Sequence, residues 1–185
     1  MSATVQTGYF FMPEHIILVG ASERPHSLGE RIFSHLLGSS YQGKITPVNL
    51  RHSSVAGIPS YSSLSNIPGL ADLVVAVIPP EHYDSLFKAC RKKDLRPIIL
   101  IQDWENLPPE SCKNARSIIQ NYHGDELNIT VCNSAGIQLP SLNLNIGTQT
   151  DYPAGHIALL TGHSTVSRNI NHLLHTLHQG VSRPI

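Results

Sequence analysis

Cysteine is scarce in this chain. Three occur in 185 residues, Cys90, Cys112 and Cys132, and no two form a C-x-x-C pair. That excludes a disulfide framework or a zinc site of that kind, and the set reads as buried, reduced and cytoplasmic. Net charge is lacking as well, because 13 Lys and Arg balance 13 Asp and Glu. A general polyanion-binding surface is therefore not indicated, nucleic acid is not expected as a partner, and any phosphate recognition has to be local. No apolar run approaches the length that spans a bilayer, so no membrane partner is expected. Met1 to Met12 show neither the basic n-region nor the long apolar h-region of a signal peptide. Repeats and low-complexity tracts are also missing.

What is present is a core-forming composition, 41% hydrophobic and 14% charged. Size priors allow one compact domain of about 150 residues with a small appendage. Apolar strand-like runs alternate with amphipathic helical stretches, the pattern of a parallel α/β sheet. Strands are predicted at His15 to Gly20, Lys44 to Asn49, Leu73 to Ile78, Pro97 to Ile101 and Leu127 to Cys132. The third is continuously apolar, as a strand covered on both faces should be. Helices are predicted from Ser27, as N-cap, to Gly38, from Pro79-Pro80 to about Lys93, and from Pro109 to Tyr122. Asn133 to Pro153 reads as irregular and long for a loop, hence as a boundary or crossing segment. A further strand, His156 to Thr161, and a helix, Ser164 to His178, close the pattern.

The strongest local signal is the turn Gly20-Ala21-Ser22-Glu23-Arg24-Pro25-His26-Ser27-Leu28-Gly29. Small residues let the backbone approach a diphosphate, and the helix starting near Ser27 aims its free N–H groups at it. The spacing is not G-x-G-x-x-G, so the usual dinucleotide fingerprint is absent. A second absence is more telling. Where an NAD-binding protein carries Asp or Glu for the ribose 2′-hydroxyl, this chain has Pro47-Val48-Asn49-Leu50-Arg51. A guanidinium suits a phosphorylated ribose, which NADP and coenzyme A both carry. NAD is disfavoured.

Taken in order, Val19-Gly20-Ala21-Ser22, Pro47-Val48-Asn49, Gly57 to Leu64, Asp72 to Pro79 and Asn133-Ser134-Ala135-Gly136 resemble the NDP-forming acyl-CoA synthetases. The same likeness extends to the succinyl-CoA synthetase alpha subunit and to the CoA-binding part of bacterial protein lysine acetyltransferases. It covers about residues 12 to 180. It implies coenzyme A or acyl-CoA as the ligand, surrounded by Gly20, Ser22, Ser27, Asn49, Arg51, Ile78 and Pro79. By the same likeness Ile101 and Gln102 meet the pantetheine arm, and Asn133 stands for the Asn of a Gly-Pro-Asn turn whose first two residues are here Val131-Cys132. His156 to Ser164 stands where a Ser-Gln-Ser-Gly segment would follow a strand of a second domain. Family members continue into a phosphohistidine domain, and an ATP-grasp module in the same chain or a partner completes the enzyme.

His172, His175 and His178 recur every third residue, with His163 upstream. No carboxylate or cysteine accompanies them, so they read as the polar face of a terminal helix and no metal is expected. Asp103, Trp104 and Glu105 read as a loop at the carboxyl edge of the sheet, and no catalytic residue is assigned.

The expected fold is thus a Rossmann-like doubly wound parallel sheet over residues 12–150, with the start of a second α/β domain over 151–185. The expected function is binding of CoA or acyl-CoA, as part of an acid–CoA ligase or acyltransferase that is incomplete as this chain alone. The residues leave open an NADP-dependent oxidoreductase or redox-sensing domain, which would need a hydride-transfer partner such as Tyr-x-x-x-Lys, and none is found. They also leave open an interaction subunit that binds nothing. The terminal βα unit cannot bury both its apolar faces alone, so it must dock onto the first domain, pair with a second copy of the chain or await a partner, and of these a homodimer is the favoured expectation.

Overall fold

A computed structural model describes residues 12–122 and 127–182, so the signal-peptide reading of Met1 to Met12 falls, apart from Met12, outside the described residues. The elements follow in order as β1 (His15–Val19), α1 (Leu28–Gly38), β2 (Lys44–Val48), β3 (Ser54–Val55), β4 (Ile58–Pro59) and β5 (Leu73–Ala76). Next come α2 (Tyr83–Lys92), β6 (Pro97–Ile101), α3 (Pro109–Tyr122), β7 (Asn128–Cys132), β8 (Ile137–Leu139), β9 (Leu144–Ile146), β10 (Ala154–Ile157) and α4 (Ser164–Thr176). Five strands pair in parallel in the order β2-β1-β5-β6-β7. The order reverses between β1 and β5, which puts the topological switch of a doubly wound sheet at their carboxyl ends.

Alternation along each strand sends side chains to two covered faces. Ile17, Val74, Ile98 and Leu100 pack under α2 and α3 with Phe87, Cys90 and Ala115. Ile16, Leu18, Val75 and Ile99 pack under α1 with Ile32, Phe33 and Leu36. The predicted strands and helices occur where the apolar patterning places them, with strand ends trimmed by a residue or two.

Two regions differ from the expectation. Inside Asn133 to Pro153, β8 and β9 form an antiparallel hairpin, and its Leu139, Leu144 and Ile146 complete the α1-side core. Three-residue strands split by Pro140 carry too little alternation to be read from sequence, yet they cover the part of that face that α1 leaves open. At the end of the chain, the strand expected over His156 to Thr161 is only Ala154–Ile157, and it touches Val181 through isolated bridges rather than a ladder. A single βα unit has no neighbour strand to extend it, and Leu160 is left fully exposed.

The tail docks on the segment that follows the hairpin. The Asn171 amide donates to the Thr150 carbonyl (2.9 Å), Gln149 Nε2 to that of Ser164 (2.6 Å), and the Tyr152 hydroxyl to that of Ser167 (2.9 Å). Tyr152, Leu174 and Val181 make a small separate cluster. Val166, Leu173 and Leu177 of α4 and its C-cap stay exposed.

If the hairpin is core, Leu144→Ala should cost about 2–4 kcal/mol of unfolding free energy, as a buried cavity does. Leu70, 75% exposed, should tolerate the same change within about 0.5 kcal/mol. Urea denaturation followed by circular dichroism measures both, and equal values would show that the hairpin does not share the core.

Candidate functional site

A groove of about 880 Å³ lies at the carboxyl ends of β1, β2 and β5, walled by the first turns of α1 and α2. That falls within the roughly 300–1,000 Å³ range of ligand and cofactor sites, at the position where open α/β sheets bind ligands. A shallower depression of about 450 Å³ is lined by residues of α3 alone and has no second wall.

Two glycines set the floor. Gly20 leaves β1 with φ +93, and a Cβ there would run into the Val77 carbonyl at the end of β5. Gly29, in the first turn of α1, sits so close to the Gly20 carbonyl that a Cβ would overlap it. The helix start is thereby pressed onto the strand–loop junction. Ser27 caps it, accepting from the Glu30 N–H at 3.2 Å, and Ser22 Oγ accepts from the Arg24 N–H at 3.0 Å. Both hydroxyls commit an acceptor lone pair to the backbone and keep the O–H proton to donate.

The second wall comes from the residues after β2. The carboxamide of Asn49 ties it to the first loop, with Nδ2 donating to the Ala21 carbonyl (2.8 Å). Its Oδ1 accepts from the N–H groups of Arg51 (2.8 Å) and His52 (3.0 Å). The chain leaving β4 then runs beside β2, where Tyr61 exchanges backbone hydrogen bonds with Asn49 and Pro47. Glu23 is the one carboxylate among the lining residues, and its Oε1 accepts from the Ala56 N–H at 2.6 Å. The guanidiniums of Arg24 and Arg51, both groove-lining, have no side-chain partner among the described residues.

Of the ten residues predicted, Gly20, Ser22, Ser27, Asn49, Arg51, Ile78, Pro79 and Gln102 line the groove. Ile101 does not. Its side chain is fully buried under α1, because strand alternation turns it to the core. Asn133 also lies outside, its carboxamide holding the Ala135 N–H (3.0 Å) and the Gly162 carbonyl (3.1 Å). Sequence reasoning passed over Arg24, Gly29, His52 and His82. The spacing Gly20-x8-Gly29 was the available signal for the second glycine.

Two of the three cysteines, Cys90 and Cys132, are poorly placed for redox sensing. Burial pushes the Cys90 thiol up to about 12 and that of Cys132 up to about 11, so neither supplies thiolate near neutrality. Among the described residues no three His, Cys, Asp or Glu side chains converge as a metal site, and no helix is long and apolar enough to cross a membrane.

The β1–α1 loop and the crossover that form this groove fall within a longer stretch, residues 14–121, that matches the family model described as a CoA binding domain. The chain belongs to the CoA binding domain family. It is a CoA-binding domain with the Rossmann-like fold expected of it. It is similar to the acetate–CoA ligase [ADP-forming] II subunit alpha of Pyrococcus furiosus, with 30% identity over 155 residues, 83% of this chain and 34% of that protein. The acetate–CoA ligase [ADP-forming] of Methanocaldococcus jannaschii is 24% identical over 180 residues, 96% of this chain and 25% of that protein. A crystal structure from Pyrococcus horikoshii superimposes with TM-score 0.79 at 26% identity, covering 95% of this chain and 40% of the other. The dinucleotide-forming acetyl-coenzyme A synthetase 1 of Ca. Korarchaeum cryptofilum gives 0.79 at 20% identity, over 95% and 38% of the two chains, and shares the fold. This CoA-binding domain spans about a third of the length of the first curated relatives it matches.

Within this CoA-binding domain the two glycines of α1 make a matched test. Gly29→Ala should destabilise by about 1–3 kcal/mol through overpacking against the Gly20 carbonyl. A Cβ at Gly38 would have nothing within 4 Å, so Gly38→Ala should be neutral or gain up to about 1 kcal/mol. Urea midpoints report both. A wild-type midpoint for Gly29→Ala would mean that the close approach is not required.

Proposed function

We propose that coenzyme A, free or acylated, lies in this groove with its diphosphate over Gly20, Ser22 and Ser27 and its ribose phosphate at Arg51. The observation that carries the reading is the pair of uncommitted guanidiniums, Arg24 and Arg51, on either side of a glycine-tight helix start. The one nearby carboxylate, Glu23, is engaged by a backbone N–H and leaves both cations available. Charge-assisted hydrogen bonds from such groups to a phosphate are the strong ones. Ile78 and Pro79 would pack along the ligand as it leaves the diphosphate, with Gln102 further out. Ile101 would contribute through its backbone alone, and Asn133 through the shape of its turn.

Residues 12–150 serve as the CoA-binding unit, and 151–185 begin a second unit. The separate cluster of Tyr152, Leu174 and Val181 supports that division. Acid–CoA ligation would then draw on a phosphohistidine segment and an ATP-grasp module besides these 185 residues. In that arrangement the protein works in the cytoplasm, where its cysteines stay reduced. Incubation of this chain with ATP, acetate and CoA should yield no acetyl-CoA, and labelled ATP should leave no phosphohistidine.

The ligand test is a thermal-shift series with CoA, dephospho-CoA, NADP and NAD. At 100 times its dissociation constant a bound ligand stabilises by about 2.7 kcal/mol. CoA should give the largest shift and NAD the smallest. Arg51→Glu should weaken CoA by about 1–3 kcal/mol, as loss of a charge-assisted hydrogen bond does. Equal affinity of the wild type for CoA and dephospho-CoA would remove Arg51 from the site, and a larger shift with NADP would replace the ligand.

A further inference from the structure

Asn49 is placed by its position after β2 among residues that would touch the ligand, but its carboxamide is occupied otherwise. Nδ2 reaches across to the Ala21 carbonyl at 2.8 Å, and Ala21 is fully buried. Oδ1 takes the N–H groups of Arg51 and His52 at 2.8 and 3.0 Å, which uses both of its lone pairs. One side chain therefore joins two loops that are 28 residues apart in sequence, at the level where each carries an arginine.

Beyond the Gly20 N–H donating to the Val48 carbonyl at their base (3.0 Å), the loops have few other ties. On the first, the Arg24 N–H rests on Ser22 Oγ, one residue beyond Ala21. On the second, Arg51 leaves directly from the turn that Oδ1 closes. A further link between them among the described residues is the Glu23 carboxylate on the Ala56 N–H, at the far tip of the β3–β4 hairpin. The Oδ1 bonds close an Asx turn, in which a side chain mimics a backbone turn. The Nδ2 bond to Ala21 ties that turn to the first loop.

We propose that Asn49 is a positioning residue that holds the Arg51 loop at a fixed distance from the Arg24 loop, and so sets the preference for a ribose 3′-phosphate without touching it. This rests on the CoA reading above. A positioning residue acts through the group it positions. Its loss is felt only by the part of the ligand that this group meets, and vanishes once that group is gone. A direct contact to the diphosphate, or a merely structural role, would weaken every ligand alike.

Calorimetric titration of the full chain with CoA and with dephospho-CoA separates these cases in a double-mutant cycle of Asn49→Ala and Arg51→Gln. Asn49→Ala should narrow the preference for CoA over dephospho-CoA by roughly tenfold, the equivalent of one or two lost hydrogen bonds. Arg51→Gln should abolish the preference, and the double variant should match Arg51→Gln. Should Asn49→Ala be too unstable to titrate, Asn49→Ser keeps an acceptor for the turn but cannot span to Ala21, and its preference is read the same way. An intact preference in either Asn49 variant, equal losses for both ligands, or losses that multiply in the double variant would each overturn the proposal. Variants that fail these tests while the wild type binds CoA leave the CoA reading standing; a wild type that binds no CoA ends both.

Discussion

Gly29 meets the Gly20 carbonyl at a distance no Cβ permits, and the groove takes its shape from that contact. The approach lays the first turn of α1 directly over the end of β1, so the capped helix start and the strand's exit loop become one surface. Gly20, with its positive φ, is in turn pressed on the Val77 carbonyl, which brings the end of β5 to the same place. Three elements thus converge without a side chain between them. The Ser22 and Ser27 hydroxyls and the Arg24 guanidinium are mounted on the loop between β1 and α1 that this contact shapes, while Arg51 reaches the groove from the loop after β2.

The sheet was legible in the sequence because its strands are apolar on both faces and its helices are periodic, α1 with a capped start at Ser27. The central strand cannot be mistaken when consecutive residues from Leu73 to Val77 carry no polar atom beyond the backbone. The β8–β9 hairpin was not legible, since two three-residue strands around Pro140 give no period to read and their burial depends on α1 being opposite. The terminal strand was over-read for the converse reason. His156 to Thr161 has the composition of a strand, but composition does not supply a neighbour to pair with.

At the site, the residue types were readable and their duties were not. Arg51 and Gly20 stand out by chemistry, and both line the groove. Asn49 stands out equally, yet its amide is engaged by three backbone groups that are visible only once the loops are folded. Ile101 illustrates a parity error, because it is the last residue of its strand and a shift of one position separates a core side chain from a groove-facing one. Arg24 carried no signal in the sequence beyond lying in a turn, and it becomes notable only when the nearby Glu23 carboxylate is seen to be committed elsewhere.

The tail is held by a different class of force from the sheet. Its clasp consists mainly of hydrogen bonds to backbone carbonyls from Gln149, Asn171 and Tyr152, with three buried apolar residues behind them. Such bonds are worth about 1 kcal/mol each in net terms, while the two faces of the sheet bury most of the apolar core. The strength of the chain is therefore graded along its length, and opening of the clasp is a sub-global event well below the cost of unfolding the sheet. No residue of this clasp lines the groove. Groove and clasp thus draw on separate sets of contacts, so a change in one need not be felt by the other.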